Sequence, residues 1–492
     1  MGANTSSKLV SFIGISVFLL PIGLLFYFLG SPSNISGAEI TWALRNTFSQ
    51  SFLSLGLVFF GALIGGFGLL SVPLGKRGSF FRLSLVIPYF LPPIFIILAG
   101  FQIFPVFPRG VAGIAILHAW MNIGMASILF ERFLRDQFSS EGDAVQVYGI
   151  SWLSYVWFGI LPRIGSFVRT LVMAFFPLFF ASFTIPLVVG GNSGTTIEVL
   201  IFEKMRLGQD WSGAVILSFI QILIQAAVLF AVLKPQDLQL SEVNRPMEWL
   251  GKKVGAVFLV IVYGLFIFSF FASFLGSVGN LGILLTGNFA EVFWGSVVLT
   301  LVSGILFFLL TSLICFLRPG LFMKFIGLYN PPGSALLAFG LLILGLRVTG
   351  LGIWIVYFGF FLLFLPLLLK TFILPKLHEL QDQINVAQVF SASDWQIFRY
   401  ITFPQIRPQL VLAASVASIW CLGDFSISRI LSSSDWFFGL MAGSLLGSYR
   451  LELAGWLCFG ILVFGILNYL LLNMVSIGLE KLSRDGVKNV IG

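Results

Sequence analysis

The sequence contains little charge, few cysteines and almost no histidine. Only 10% of its 492 residues are Asp, Glu, Lys or Arg, whereas 58% are hydrophobic and the mean hydropathy is +1.01. Soluble domains carry about 25% charged residues, so a soluble fold could not cover its surface from this supply. Intrinsic disorder is excluded too, because it requires low hydrophobicity and high net charge. These shortages predict a membrane protein with several spanning segments.

The chain also lacks the motifs of common enzyme and metal sites. Its three cysteines, Cys315, Cys421 and Cys458, lie inside apolar runs, which excludes a disulfide framework and any metal-ligand spacing. No G-x-x-x-x-G-K-[ST] sequence occurs, so the chain cannot itself cradle ATP phosphates. No nucleophile elbow or catalytic carboxylate pair is present. We therefore expect no enzymatic activity, no metal and no cofactor.

Long apolar stretches are what the sequence does contain. A helix needs about 20 apolar residues to cross the bilayer core. The 56 Phe residues suit lipid-facing helices better than a transmembrane barrel, whose strands alternate apolar and polar residues. We therefore predict an all-α polytopic membrane protein with about 12 transmembrane helices. The predicted spans lie near 9–29, 51–73, 83–104, 111–130, 171–190, 213–233, 254–275, 295–317, 331–347, 351–373, 409–430 and 453–477.

The distribution of Lys and Arg predicts the orientation. With the N-terminus placed inside, 21 of the 28 Lys and Arg residues fall in inside segments and 6 in outside segments, while Arg429 lies at the end of a span. Cytoplasmic loops carry an excess of Lys and Arg, so both termini are expected to be cytoplasmic. The same rule explains the net charge of +8 without nucleic acid. The predicted location is a bacterial inner membrane.

Two long loops on the predicted cytoplasmic side, near 131–170 and 374–408, resemble each other. Their matching residues are separated by 242 positions throughout, and the register continues into the next helix, where 181–185 aligns with 423–427. Each half has an even number of predicted helices, which indicates two parallel six-helix repeats. The predicted organisation is a first repeat at 1–233, a polar cytoplasmic linker at 234–253 and a second repeat at 254–492.

Each loop contains a short amphipathic stretch outside the bilayer. Apolar residues at 144, 145, 147 and 148 recur with helical spacing, and 386, 387, 389 and 390 repeat the pattern. A small residue, Gly149 or Ser391, follows and permits a turn or a close backbone approach. Pro162 and Pro404 then restart the chain at a helix N-terminus. Spacing alone leaves two readings open: a helix that docks on a partner, or one that lies flat on the membrane interface.

The loop pattern resembles the EAA loop of type I ABC importer permeases. That pattern has an acid, small residues, a Gly, and a Pro that closes an I-x-L-P run; the second copy departs from it at Asn385 and Ser391. The resemblance implies the type I permease fold, with transmembrane domains near 42–233 and 290–477. It also implies two copies of an ABC ATPase subunit docked on these loops, an extracytoplasmic solute-binding protein, and membrane lipid around the helices. The matching positions are Asp143, Ala144, Gly149, Pro162, Asn385, Ala387, Ser391 and Pro404.

Further stretches resemble permeases in which both halves are fused, as in thiamine and ferric iron importers. This resemblance implies thiamine or its phosphates as substrate, with ferric iron second. The rival class is an ion-coupled secondary transporter with 12 helices, which would need functional acids within its spans. The stretches that carry the likeness are 118–122, 180–183, 195–198, 423–425 and 447–450.

Four polar residues within predicted spans are candidates for more than packing. His118 and Asn122 share a helix face and could either bond across helices or line a substrate path. Asp424 is the only clear carboxylate deep in a span, with Arg429 five positions on. Since Ser182 occupies the matching place in the first half, a structural ion pair or a wet site is expected rather than a proton relay.

Charged residues also occur in the two outer segments, 191–212 and 432–452. They could form rims that dock a binding protein, or they could be ordinary solvated loops. The sequence leaves both readings open. The residues concerned are Glu198, Glu203, Lys204, Arg206, Asp210, Asp435, Arg450 and Glu452.

Overall fold

The computed structural model describes residues 2–28, 30, 32–104, 106–232, 247–276, 289–348, 350–432 and 434–491, with backbone alone at 2–7, 142–143, 276 and 482–491. Within these ranges the chain consists of helices and turns, without strands. The predicted all-α class is therefore confirmed.

The helices before residue 277 include both long spans and short connecting pieces. In chain order they are α1 (Gly2–Leu25), α2 (Gly37–Leu70), α3 (Lys76–Phe90), α4 (Pro93–Ile103), α5 (Val111–Phe138), α6 (Gly142–Val147), α7 (Trp152–Tyr155), α8 (Gly165–Phe180), α9 (Ile197–Arg206), α10 (Trp211–Val232) and α11 (Lys253–Gly276).

The described helices after residue 288 follow a similar order. They are α12 (Phe289–Leu317), α13 (Gly320–Leu328), α14 (Ser334–Arg347), α15 (Trp354–Leu368), α16 (Leu374–Glu379), α17 (Gln381–Val389), α18 (Asp394–Ile397), α19 (Phe403–Leu422), α20 (Ser426–Leu431), α21 (Phe438–Gly447) and α22 (Leu451–Ile491).

Among the described residues, eight helices are long and apolar enough to cross a membrane. Two bent helix pairs raise the number to ten if each pair is one span. In the first pair, α3 and α4 meet at 97° because Pro92 and Pro93 interrupt the backbone hydrogen bonds between them. The predicted span at 331–347 is the shorter helix α14, of 14 residues. The multi-pass character is confirmed, but the count of twelve spans is not.

The predicted duplication is visible in the order and register of the elements. Helix α7 recurs 242 residues later as α18. Helices α8 and α19 end at Phe180 and Leu422, which are also 242 residues apart. A single π-helical turn follows α7 at Val156–Ile160, and another follows α18 at Phe398–Thr402 with the same separation. The two copies therefore share their local structure over 152–160 and 394–402.

The chain packs into two compact units whose boundaries differ from those of the predicted repeats. One unit is Pro32–Gly276, and the other combines Met1–Ser31 with Ser277–Gly492. Helix α11, which opens the second predicted repeat, packs on α2 and α4 of the first unit, and α1 packs on α13 and α14 of the second. Each packing unit therefore takes the opening helix of the other predicted repeat.

Glycines allow α11 to approach α2 closely. A Cβ on Gly68 would overlap the backbone of Gly255 and Ala256, and a Cβ on Gly255 would overlap the backbone of Ile64 and Gly68. Helices in membranes associate through such small residues, because lipid tails supply no hydrophobic drive for their contact. The exchange of opening helices thus depends in part on a glycine in each of the two helices.

Candidate functional site

The two repeated loops end their short helices in the same way. Loop A (residues 139–163) contains α6, and loop B (residues 381–405) contains α17. Gly149 has φ +61° and Ser391 has φ +59°, so both adopt the left-handed conformation that ends a helix. In loop A the Ile150 N–H donates to the Val145 carbonyl at 3.1 Å. In loop B the Ala392 N–H donates to the Ala387 carbonyl at the same distance of 3.1 Å.

An apolar pair protrudes at the end of each short helix. Val147 and Tyr148 are 82% and 80% exposed, and their counterparts Val389 and Phe390 are both 81% exposed. Large apolar side chains that are exposed together often belong to a protein–protein or a membrane interaction site. The repetition of the pair in both loops favours such a site. The surface is suited to an apolar cleft in a partner or to a lipid interface.

The other predicted loop residues surround these pairs. Ala144 and Asn385 are exposed, and Ala387 is half-buried. Pro162 lies in the 3₁₀ turn Leu161–Arg163, and Pro404 lies in the first turn of α19. The Asp143 side chain lies outside the described residues, although its backbone belongs to α6.

Sequence reasoning missed a polar network at the start of loop A. Glu141, the residue that precedes α6, accepts hydrogen bonds from Arg163 Nη1 at 2.5 Å and from Tyr155 Oη at 2.9 Å. Burial raises the pKa of the Glu141 carboxyl, but these two hydrogen bonds and the Arg163 charge outweigh it and bring the pKa below its usual value. The carboxylate is therefore ionised at neutral pH. The only trace of this network in the sequence is the presence of opposite charges 22 residues apart, at Glu141 and Arg163.

Loop B holds a neutral counterpart of this ion pair. Gln383 and Gln405 lie 242 residues after Glu141 and Arg163, and Gln405 Nε2 donates to Gln383 Oε1 at 2.7 Å. Ile397 occupies the place of Tyr155, so this position offers Gln383 no hydroxyl. The repeats therefore keep the contact but differ in its chemistry.

His118 and Asn122 lie in a buried polar cluster of the first unit. The His118 ring has Nδ1 at 3.2 Å from Ser54 Oγ and Nε2 at 2.9 Å from Ser182 Oγ. It also stacks on Phe179 with a centroid separation of 4.8 Å. Asn122 Nδ2 donates to the His118 carbonyl at 2.6 Å. The His118 contacts join α5 to α2 and to the turn after α8, whereas the Asn122 hydrogen bond stays within α5.

Asp424 and Arg429 do not form an ion pair with each other. The Asp424 carboxylate accepts hydrogen bonds from Ser426 Oγ at 2.7 Å and from both the N–H and the Oγ of Ser428 at 3.0 Å. Arg429 instead lies 3.8 Å from Asp435. Serine donors close in sequence therefore stabilise the buried carboxylate, because the backbone turns at the start of α20 and brings them to it.

A buried carboxylate that sequence reasoning also missed joins three helices of the first unit. The Glu131 carboxylate, on α5, accepts hydrogen bonds from Arg82 Nη2 at 2.7 Å and from Arg135 Nη2 at 2.8 Å. Arg82 also donates to the carbonyls of Leu69 and Val72 at the end of α2, both at 3.0 Å. The only sequence signal was the Glu-to-Arg spacing of four residues. This cluster lies at the end of α5 that leads into loop A.

Three of the charged residues in the segment 191–212 contact other parts of the first unit. Glu198 is fully buried and accepts Gln221 Nε2. Asp210 is buried and accepts the Gly213 N–H at 2.8 Å and the Asn34 N–H at 3.1 Å. Lys204 pairs with Glu39 at 2.9 Å. These charges stabilise helix ends within the unit, because each lies where backbone or side-chain partners are in reach.

Within the described residues, no group of three or more His, Cys, Asp or Glu could hold a metal ion. The recognisable features are thus two exposed loops in a common register and several polar clusters between helices.

Comparison with known proteins shows that the chain is similar to transport-system permease proteins. In particular, it is 22% identical over 371 residues to the Thiamine transport system permease protein ThiP of Escherichia coli (strain K12), covering 70% of this chain and 69% of that protein. The protein of the same name from Haemophilus influenzae is 24% identical over 371 residues, covering 69% and 68%. These matches confirm the resemblance to thiamine importer permeases. No family model matches the chain, and no solved structure matches it.

Proposed function

We propose that the chain is the transmembrane permease subunit of a binding-protein-dependent ABC importer in the bacterial inner membrane. It acts without enzymatic activity of its own, and a separate ATPase supplies the energy. Its two repeats, 1–233 and 254–492, are joined by the linker 234–253. An extracytoplasmic solute-binding protein delivers the solute. Thiamine is the first candidate substrate, supported by the relatives' names, and ferric iron is the second.

The observation that carries this proposal is the pair of exposed apolar ends on loops A and B. The most exposed apolar side chains of each short helix lie at its end, beside the left-handed residue, and Val386 extends the exposed apolar surface of loop B by one turn. Two equivalent surfaces are suited to two copies of one partner subunit. Movement of that partner on ATP binding would shift both loops and bias the repeats between two states.

We expect loops A and B to face the cytoplasm, because 21 of the 28 cationic residues lie on that side of the predicted topology. A cysteine introduced as Ser139→Cys should then resist a membrane-impermeant thiol reagent in intact cells and react after permeabilisation. The three native cysteines are buried and provide little background labelling. Rapid labelling of Ser139→Cys in intact cells would reverse the orientation.

Substrate class is tested by uptake in cells that lack the chain. We expect labelled thiamine uptake to fall to background and to return when the chain is restored, with ferric iron uptake unchanged. The reverse result would make ferric iron the substrate and would leave the permease proposal intact. Loss of neither uptake would exclude both candidate substrates.

The same assay separates the importer from an ion-coupled transporter. With cytoplasmic ATP held constant, uptake should be insensitive to a protonophore, since Asp424 is engaged by three serine hydrogen bonds and has no acidic counterpart at Ser182. Asp424→Asn should therefore leave uptake ATP-driven. Collapse of uptake by the protonophore alone would favour the secondary transporter.

A further inference from the structure

The short helix of loop A has little intrinsic stability. It spans six residues, and isolated helices shorter than about 12 residues are marginal in water. A turn at residues 139–141 separates it from α5. Loop B differs, because α17 has nine residues, follows α16 after a single residue, and carries a hydrogen bond from Gln381 to Asn385 at 2.8 Å. Loop A therefore needs more support from tertiary contacts than loop B.

The end of the inter-repeat linker lies against loop A. The linker anchor (residues 247–252) has Met247 and Leu250 fully buried within the first unit. Trp152 Nε1 donates to the Leu250 carbonyl at 3.1 Å, and the Lys252 N–H donates to the Phe67 carbonyl of α2 at 2.9 Å. This part of the linker is thus built into the unit as a fixed support.

Tyr155 connects the linker anchor to the start of the short helix. Its ring packs on Trp249 with a centroid separation of 5.3 Å and on Phe138, at the end of α5, at 6.3 Å. Its hydroxyl donates to Glu141, whose carbonyl accepts the first backbone hydrogen bond of the helix from Val145 at 3.0 Å. Arg163 bonds the other carboxylate oxygen and lies over the Phe138 ring.

We propose that Tyr155 and Glu141 are positioning residues that hold the short helix of loop A to the linker anchor. The linker would then set the order of loop A, while loop B, with Ile397 and the Gln383–Gln405 pair in the same places, is held without it. The consequence for ATPase docking rests on the proposed function, but the support of the helix does not. One loop of the permease is accordingly tied to the segment that joins the repeats.

The test uses spin labels at matched positions. Gln146→Cys and Gln388→Cys are both exposed, one in each short helix, 242 residues apart. The full chain is placed in lipid nanodiscs without ATPase, and label mobility is measured by electron paramagnetic resonance. We expect Tyr155→Phe, Glu141→Ala and Trp249→Ala each to raise mobility at 146 and to leave mobility at 388 unchanged.

Rescue distinguishes positioning from general loss of structure. Glu141→Gln keeps an oxygen that accepts from Tyr155, so it should retain most of the order at 146. Tyr155→Phe keeps the buried ring and removes only the hydroxyl. The double variant Tyr155→Phe/Glu141→Ala should raise label mobility at 146 only slightly more than Glu141→Ala does, because both substitutions remove the same hydrogen bond. Unchanged mobility at 146 in Tyr155→Phe and in Glu141→Ala, or an equal rise at 388, would overturn the proposal.

ATPase affinity is measured separately on the same variants. Loss of this hydrogen bond to a charged group should weaken docking at least about tenfold for Tyr155→Phe. Increased mobility at 146 supports the positioning role whatever the affinity result. Unchanged ATPase affinity in the Tyr155→Phe, Glu141→Ala and Gly149→Arg chains would instead contradict the proposed docking function.

Discussion

Gly149→Arg should abolish or weaken ATPase association at least about tenfold while the chain still inserts in the membrane. A Cβ at this position meets no atom within 4 Å, so the fold has room for the side chain. The left-handed conformation adds about 1–2 kcal/mol of local strain for a non-glycine residue. The arginine would stand beside the exposed Tyr148, on the surface that we propose the ATPase contacts. Pull-down of the ATPase with detergent-solubilised chain measures the effect.

One control variant tests the effect of backbone strain, and a second tests the equivalent position in loop B. Gly191 combines φ +52° with ψ −160°, a backbone conformation that is essentially restricted to glycine, so Gly191→Arg introduces more local strain than Gly149→Arg. Its Cβ would meet no atom within 4 Å and it lies on the predicted outer side, so ATPase association should remain in the chain that reaches the membrane. Ser391 already carries a side chain at φ +59°, and Ser391→Ala should matter little. Equal recovery of the ATPase and equal transport by all three variants would show that the loops are not the docking site.

Glu131→Ala should be the most destabilising single substitution among those considered. It removes the carboxylate that lies between the half-buried Arg82 and the buried Arg135, and loss of one partner from a buried ion pair costs about 3–5 kcal/mol. That is a large part of the stability of a typical protein. The amount of chain in the membrane and the thermal midpoint of the purified protein should both fall.

The second repeat supplies the matched control. Ile373 and Leu377 occupy the positions that correspond to Glu131 and Arg135. The double variant Glu131→Ile/Arg135→Leu removes the carboxylate and one arginine together, while Arg82 keeps its carbonyl acceptors at the end of α2. It should therefore be more stable than Glu131→Ala, because apolar replacement of an ion pair is often tolerated. A thermal midpoint of Glu131→Ala equal to that of the unmodified chain would contradict the assigned role.

Much of this molecule followed from local features of the sequence. The shortage of charge and the long apolar runs determined the membrane-spanning helical class, because the bilayer requires backbone hydrogen bonds to be satisfied within each segment. The separation of 242 residues determined where the two loops lie, and the small residues at Gly149 and Ser391 marked the left-handed ends of their helices. These properties depend on neighbours along the chain and could be predicted from it.

Other features were decided by tertiary packing alone. Hydropathy could not show that α1 and α11 pack in opposite units, that Glu131 and Glu198 are buried, or that Arg429 pairs with Asp435. Nor could the spacing of apolar residues show that Tyr155 joins the linker to loop A. Hydrophobic periodicity reports which face of a helix avoids water, but it carries no information on which distant residue covers that face. Partners tens or hundreds of positions apart are selected by the shape and charge of the folded helices.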